Sequence, residues 1–355
     1  MTSNKRISWL GLLKFLASLM IIWCHTSLIR DGGEYNLKYS YLFVEFFLII
    51  TGYFTFKHFQ KSVFKAKTID ESAKEALRYT YKKFAKYAPY VVVSVIAITL
   101  LVIIIEKPVD IGELFSLIRL TPFEMLFLSS QTGLRLAPLW YLSALFIVMP
   151  LFSFLAQRVP KNLNYLLSML FIVIIYGNYF DYMDKSSGID SLIRVFSALC
   201  LGTCVNWVTE NLAKIKTVKY KKLLFTGLEL LSGLAAIAFM WPASVEFVQE
   251  KPNEILVIFL FALSLTLLFS GSTYTSKVSI NLFNYLEKIS FPIYITHWII
   301  IVFIQNYLMG LTEGKRIMLL YLITIVCSVS LHAIVELYET KKAIAFHKSN
   351  DTLDE

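Results

Sequence analysis

The chain has 355 residues, of which 57% are hydrophobic and 15% aromatic, and its mean hydropathy is +0.62. This apolar share exceeds that of ordinary soluble domains, so the composition excludes a soluble globular protein and predicts an integral membrane protein. The net charge of +9 is explained by basic residues that anchor cytoplasmic loops, and we expect no nucleic acid as a partner.

Apolar segments long enough to cross about 30 Å of hydrocarbon follow one another along the chain. We therefore predict an all-α, polytopic transmembrane bundle of about ten helices. No linker or internal repeat divides it, so residues 1–340 are expected to form one transmembrane domain and residues 341–355 a short polar cytoplasmic tail, of which residues 347–355 are expected to be disordered. Most of the 34 Lys and Arg residues lie in the connections on the side of the termini, which predicts that both termini are cytoplasmic in a plasma membrane. The predicted segments are residues 7–28, 39–58, 88–105, 138–156, 163–180, 190–208, 222–241, 254–271, 289–308 and 317–337.

The first two segments carry ionisable residues. The first segment lacks a signal-peptide cleavage site and is predicted to be an uncleaved helix, in which Lys14 and His25 share one face about 16 Å apart along the axis. Glu45, in the second segment, reaches a depth similar to that of His25. Such groups are costly in a bilayer and mark functional sites, and a carboxylate beside an imidazole makes a general base. The alternative is an interfacial His25, with Glu45 paired to another cation.

The connection from Lys57 to Lys86 is strongly basic. Thr68 and Glu71 have capping-box spacing before a run with helical periodicity, which predicts a basic amphipathic helix on the inner membrane surface. Lys83 and Lys86 are three residues apart, so their ammonium groups face one way and suit phosphate groups. Ordinary anchoring of a cytoplasmic loop also explains the same lysines and, for this motif alone, is the favoured interpretation.

The connection from Glu106 to Ala137, which contains Arg135, is too apolar for a plain loop. It predicts either a re-entrant segment beside a cavity or a helix on the outer surface. The four cysteines fall within apolar segments without metal-ligand spacing, so they are expected to pack, and no metal site is expected.

Two later segments contain polar and aromatic residues. Trp140, Tyr141 and Ser143 open the fourth span at the level of His25, where aromatic residues are also common as membrane anchors. His297 lies mid-span after Pro292, which is expected to interrupt the helix. His297 is either a pocket residue or a buried histidine bonded to a neighbouring helix.

Taken in order, these motifs resemble those of the acyltransferase family 3 proteins, integral membrane O-acyltransferases of bacterial surface polysaccharides. The family shows an arginine, ten residues and a histidine in its first helix, an acidic-Phe-Phe run ending in Ser-Gly in the second, and an Arg-x-x-Arg before the third. The corresponding pieces of this chain are Lys14 to His25, VEFFLIITG with Glu45, and Lys83 to Lys86 followed by Pro89; LWYLSALFIVMP and KISFPIYITHW match the family's fourth and ninth helices. Three expected arginines are lysines, which keep the charge but lose the bidentate fork.

The resemblance implies a stand-alone enzyme without an appended hydrolase-like domain. Its donor would be cytoplasmic acetyl-CoA or another acyl-CoA, its acceptor a hydroxyl of a surface or lipid-linked glycan, and its surroundings membrane lipids, with no permanently bound cofactor. Expected roles are catalysis for His25 and Glu45, donor binding for Lys14, Lys83 and Lys86, and substrate binding for Arg135, Trp140, Tyr141, Ser143, Ser290, Tyr294 and His297. The alternatives are a transporter or flippase for a lipid or small anion, although no two similar halves are found, and a catalytically silent sensor.

Overall fold

The computed structural model describes residues 7–32, 37–61, 68–128, 135–183, 188–215, 220–241 and 252–351, and these contain helices and no β-strand. We number the α-helices in chain order. They are α1 (Ser8–His25), α2 (Phe43–Lys61), α3 (Ile69–Ala85), α4 (Ala88–Glu106), α5 (Ile111–Ile118), α6 (Thr121–Met125), α7 (Leu139–Arg158), α8 (Lys161–Ile174), α9 (Gly188–Lys214), α10 (Lys221–Met240), α11 (Pro252–Phe269), α12 (Asn281–Tyr307) and α13 (Glu313–Asp351).

The predicted all-α membrane bundle is confirmed. Within the described ranges, nine helices are long and apolar enough to cross a membrane, and all except α3, α5, α6 and α11 belong to this set. The shorter apolar stretch Glu254–Phe269 in α11 corresponds to the remaining predicted segment. Hydropathy located these helices because a bilayer requires each spanning segment to satisfy its own backbone within an apolar stretch. The cytoplasmic location of the termini stays a prediction.

Helices α2 and α9 cross at close range. A Cβ atom added to Gly52 would lie 2.3 Å from the Leu199 carbonyl oxygen, and one added to Gly202 would lie 2.4 Å from the Ile49 carbonyl oxygen. The absence of side chains at these two glycines lets the two backbones touch, which is how helices pack tightly within membranes. The crossing fixes the second helix, with Glu45, against α9.

Helices α1 and α12 pack side by side in the same direction. Near their starts the Ser8 hydroxyl donates to Asn284 Oδ1 over 3.1 Å, and near their ends Gln305 donates to the Leu28 carbonyl oxygen over 3.0 Å. Helix α12 begins at Asn281, eight residues before the predicted segment. The first turns of α12 are too polar to be recognised as a membrane segment from hydropathy. Their polar side chains are satisfied by residues of α1.

Pro292 lies inside α12, which continues without a break from Asn281 to Tyr307. The expected interruption of the helix is therefore wrong. Thr296 donates its hydroxyl to the Pro292 carbonyl oxygen over 2.9 Å, and Ser290 donates to the Glu287 carbonyl oxygen over 2.8 Å. Side-chain hydroxyls of this kind satisfy backbone carbonyls near a proline within a membrane helix.

The amphipathic helix predicted before the third span is α3. Thr68 and Glu71 form the complete capping box that their spacing predicted. Helix α3 packs along α7. Four side chains of α3, spaced one helical turn apart, are buried: Ser72, Ala76, Thr80 and Phe84. The opposite side exposes Leu77 and Tyr81. This arrangement holds the C-terminal turn of α3, with Lys83, against the bundle.

The apolar connection between α4 and α7 turns back along the bundle. The hydroxyls of Thr121 in α6 and Thr99 in α4 lie 3.3 Å apart, and Thr99 is about 10 Å below the end of α4 at Glu106. The Phe127 ring then lies 5.2 Å from that of Phe84, just before α4 begins. These contacts favour the re-entrant alternative over a helix lying on the outer surface.

Helix α13 is longer than its predicted span. The prediction of a disordered polar tail is wrong as far as Asp351, because α13 runs from Glu313 to that residue; residues 352–355 lie outside the described ranges. Glu, Lys and Ala residues, which recur in ELYETKKAIAFHK, favour helix even where the sequence is too polar to enter a bilayer. Low hydropathy marked the end of the span and not the end of the helix.

Candidate functional site

A cavity of about 490 Å³ lies between α1, α2, α3, α4, α7, α12 and α13. Lys14, Lys83 and Lys86 line it close to the end of the bundle where α1 begins, and Tyr141 and Tyr294 line it farther in. Tyr294 is about 20 Å along α12 from Asn281. The volume is that of a small-molecule site, and its charged groups concentrate at the lysine end.

Lys14 is held by an ion pair across the α1–α12 interface. Its Nζ lies 2.7 Å from Glu287 Oε1, and about one fifth of each side chain is exposed. Both residues line the cavity, as does Ser290. Glu287 therefore fixes the ammonium group in the cavity wall and offsets one of the positive charges around it.

Lys83 enters the same cavity from α3. Its ammonium group lies 3.5 Å from the Thr55 hydroxyl and 5.8 Å from the centre of the Tyr79 ring. Burial, followed by the charges of Lys14 and Lys86, lowers the pKa of Lys83 to about 7. Lys288 also lines the cavity, so four ammonium groups lie in its wall beside one carboxylate that lines it, Glu287. Such a concentration of positive charge attracts a multiply charged anion.

Two tyrosines form the far wall of the cavity. The rings of Tyr141 and Tyr294 meet edge to face with centres 5.1 Å apart, and the Tyr294 hydroxyl donates to the Pro138 carbonyl oxygen over 2.8 Å. The hydrogen bond ties α12 to the start of α7, where the LWYLS motif begins. The predicted substrate residues Tyr141, Ser290 and Tyr294 thus share the cavity with the three lysines.

A histidine pair lies directly behind this wall. The rings of His25 and His297 stack with centres 5.3 Å apart, and the Trp298 ring meets His25 edge-on at the same distance. His297 is fully buried; its Nδ1 lies 2.6 Å from the Tyr294 carbonyl oxygen, while its Nε2 has no hydrogen-bond partner in the described structure. A carbonyl only accepts, so Nδ1 carries the proton and Nε2 presents a lone pair.

Glu45 does not form the expected pair with His25. Glu45 and Arg194 form a fully buried ion pair, and the Arg194 guanidinium lies 4.8 Å from the centre of the Trp140 ring. The alternative in which Glu45 pairs with another cation is the one observed. The α2–α9 crossing decides this partner, because it brings Arg194 to the level of Glu45.

The remaining predicted residues lie outside the cavity lining. Trp140 covers Arg194, and Ser143 is buried within α7. The backbone N–H of Arg135 donates to Glu124 Oε1 over 2.8 Å, which links the re-entrant segment to the residues before α7. None of these three residues is among those that line the cavity.

The match to a family model agrees with this arrangement. The acyltransferase 3 model, described as an acyltransferase domain, matches residues 7–335. The chain belongs to the acyltransferase 3 family. No curated protein and no solved structure matches the chain. For this acyltransferase 3 protein, the matched region extends from the start of α1 into α13 and includes every residue of the cavity.

Sequence reasoning missed two charged residues of this acyltransferase 3 protein. Arg194 had a usable signal, a lone arginine within an apolar span, which a membrane tolerates only beside a partner. Glu287 had no such signal in the sequence, because it lies just before the predicted ninth segment. His332, a histidine within the tenth segment, also lines the cavity and was not considered.

Proposed function

We propose that the protein is a plasma-membrane O-acyltransferase that moves an acetyl or related acyl group from acyl-CoA to a hydroxyl of a surface or lipid-linked glycan. One observation carries the proposal. The cavity begins at Lys14, Lys83 and Lys86 and extends to Tyr294, directly in front of the His25–His297 pair. A phosphate-bearing donor thus has a place at one end of the cavity, and the imidazoles lie behind Tyr294 at the other end.

The donor's phosphates would lie at the lysine end, where ammonium groups bind them as point charges. Family membership supports an acyl donor, and the lysines favour a polyanionic one. The pantetheine arm would extend past apolar side chains such as Leu48 and Leu145, which line the middle of the cavity. The thioester would then approach the tyrosine wall.

The chemistry is acyl transfer with His25 as general base. His25 is partly accessible at the end of α1, whereas His297 is fully buried against it. As the glycan hydroxyl oxygen attacks the thioester carbonyl carbon, His25 takes the hydroxyl proton. The C–S bond breaks, an ester forms, and the proton passes from His25 to the departing CoA thiolate. Tyr294 lies between cavity and imidazoles, so its movement would open the path.

Thiol release tests this function. The purified protein in lipid nanodiscs is incubated with acetyl-CoA and candidate glycans, while free CoA and acetylated glycan are measured by a thiol reagent and mass spectrometry. We expect both products from the wild type and neither from His25→Ala. His58→Ala is the matched control, because His58 is exposed and is not among the residues that line the cavity.

Full activity of His25→Ala at normal protein levels would rule out this role. Movement of solute without thiol release would instead favour the transporter. Comparison of glycans from cells with and without the protein would then identify both the acceptor and the acyl group.

A further inference from the structure

An aromatic cluster lies on the wall of the cavity beside the lysines. It consists of Tyr90 on α4, Tyr285 on α12 and His332 on α13. The rings of Tyr90 and His332 are nearly parallel with centres 6.3 Å apart, and the Tyr285 ring meets His332 at 6.1 Å and a steep angle. Tyr90 and His332 both line the cavity. We refer to these three residues as the aromatic cluster.

His332 has an unused polar atom. The side chain is 6% exposed, and its Nδ1 is hydrogen-bonded with the Tyr90 hydroxyl over 2.9 Å. Its Nε2 has no hydrogen-bond partner in the described structure, since the Glu336 carboxylate is 3.9 Å away and binds Lys288 instead. A buried nitrogen without a partner is unfavourable, which makes one in a cavity wall a candidate ligand contact.

Charge is arranged around this cluster in a way that suits one class of ligand. Lys83 and Lys86 line the same cavity, and Lys288 lines it next to His332. A ligand that fits has phosphates for the lysines, a flat π system for the aromatic rings and a ring-edge hydrogen-bonding group for Nε2. A purine nucleotide has all three, and a base that stacks on aromatic side chains gains affinity whatever its sequence of ring atoms, because every base has a π face.

We propose that the aromatic cluster binds the purine base of the donor, so that the site selects a nucleotide-bearing thioester over a phosphopantetheine thioester alone or carried on a protein. This rests on the proposed function. Either tautomer of His332 fits, because a purine offers ring nitrogens as acceptors and an exocyclic amine as donor.

Binding measurements on the full-length protein test the proposal without requiring catalysis. The dissociation constants of CoA and of 4′-phosphopantetheine are measured by calorimetry in nanodiscs. The wild type is expected to bind CoA at least about fivefold more tightly, in line with loss of one stacked base. His332→Leu should remove this preference by weakening CoA alone, and Lys83→Gln should weaken both ligands.

Two further variants exclude trivial effects. Tyr90→Phe retains the ring but loses the hydroxyl that holds Nδ1, and is expected to weaken CoA partially if the fold is intact by thermal melting. Tyr338→Leu removes an exposed aromatic side chain from the same helix as His332 and should leave both constants unchanged.

Equal affinity of the wild type for the two ligands would overturn the proposal, as would a parallel loss of both in His332→Leu or no binding of CoA. Purine-selective binding without glycan acylation would support the proposal and contradict the enzymatic function. Acylation of the glycan from acetyl-phosphopantetheine, with the same KM as from acetyl-CoA, would support the enzymatic function and contradict the proposal.

Discussion

Glu45 on α2 and Arg194 on α9 are paired where solvent reaches neither: their side chains are 0% and 2% exposed. The Trp140 ring lies over one side of the guanidinium at 4.8 Å, and the Tyr41 ring lies at 5.8 Å. Inside a bundle that crosses a membrane, each charge depends on the other for compensation. The pair therefore joins the second helix to α9 at one end of the site.

Removal of either partner alone is expected to destabilise the protein strongly. Glu45→Gln leaves a buried guanidinium without its counter-charge, which costs about 3–5 kcal/mol. Thermal unfolding in detergent would show a lower Tm for Glu45→Gln and for Arg194→Gln, and a partial recovery in the double variant. If Glu45→Gln abolished acyl transfer at unchanged Tm, Glu45 would act in catalysis as its motif predicts.

The α2–α9 crossing provides a second prediction. Gly52→Ala and Gly202→Ala would place a methyl group within 2.5 Å of a facing backbone atom, and such overpacking typically costs about 1–3 kcal/mol. We expect both variants to show reduced Tm and lower yields of folded protein. Gly227→Ala is the matched control, because nothing lies within 4 Å of its added Cβ. A Tm of Gly52→Ala equal to that of the control would contradict the close crossing.

Lys83 is expected to make donor binding dependent on pH. Burial and the charges of Lys14 and Lys86 hold its pKa at about 7, so the side chain is cationic below pH 7 and neutral above it. Binding of a phosphate favours the cationic form and takes up a proton. The KM for acetyl-CoA is therefore expected to rise between pH 6.5 and 8.5.

Two substitutions isolate this effect. Lys83→Arg keeps its charge throughout the range and should flatten the profile, whereas Lys82→Gln, at an exposed neighbouring position, should leave it unchanged. A profile for Lys83→Arg that still rises over the same range would assign the titration to another group.

How far the sequence predicts the structure depends on the type of interaction. Apolar stretches located the membrane helices, and the capping box located the start of α3 at Ile69. Hydropathy failed at the start of α12, where Glu287 is satisfied by Lys14 on a helix distant in sequence.

The candidate site shows the same division. The family motifs identified Lys14, Lys83 and Lys86, which the fold brings into one cavity. They did not identify the partner of Glu45, because pairing depends on which helices are neighbours. Arg194 becomes its partner only when two glycines allow α2 and α9 to cross closely.

The last prediction concerns His297. With Glu45 occupied by Arg194, the group packed directly on the His25 ring is His297, whose Nδ1 is fixed by the Tyr294 carbonyl oxygen. We expect His297→Gln to lower kcat by about 10²-fold or more, as is typical when proton transfer is impaired, while the KM for acetyl-CoA changes little, because His297 lies outside the cavity. The kcat and KM are measured by thiol release. A purely structural role would instead lower Tm and the amount of active protein, with the kcat per folded molecule unchanged.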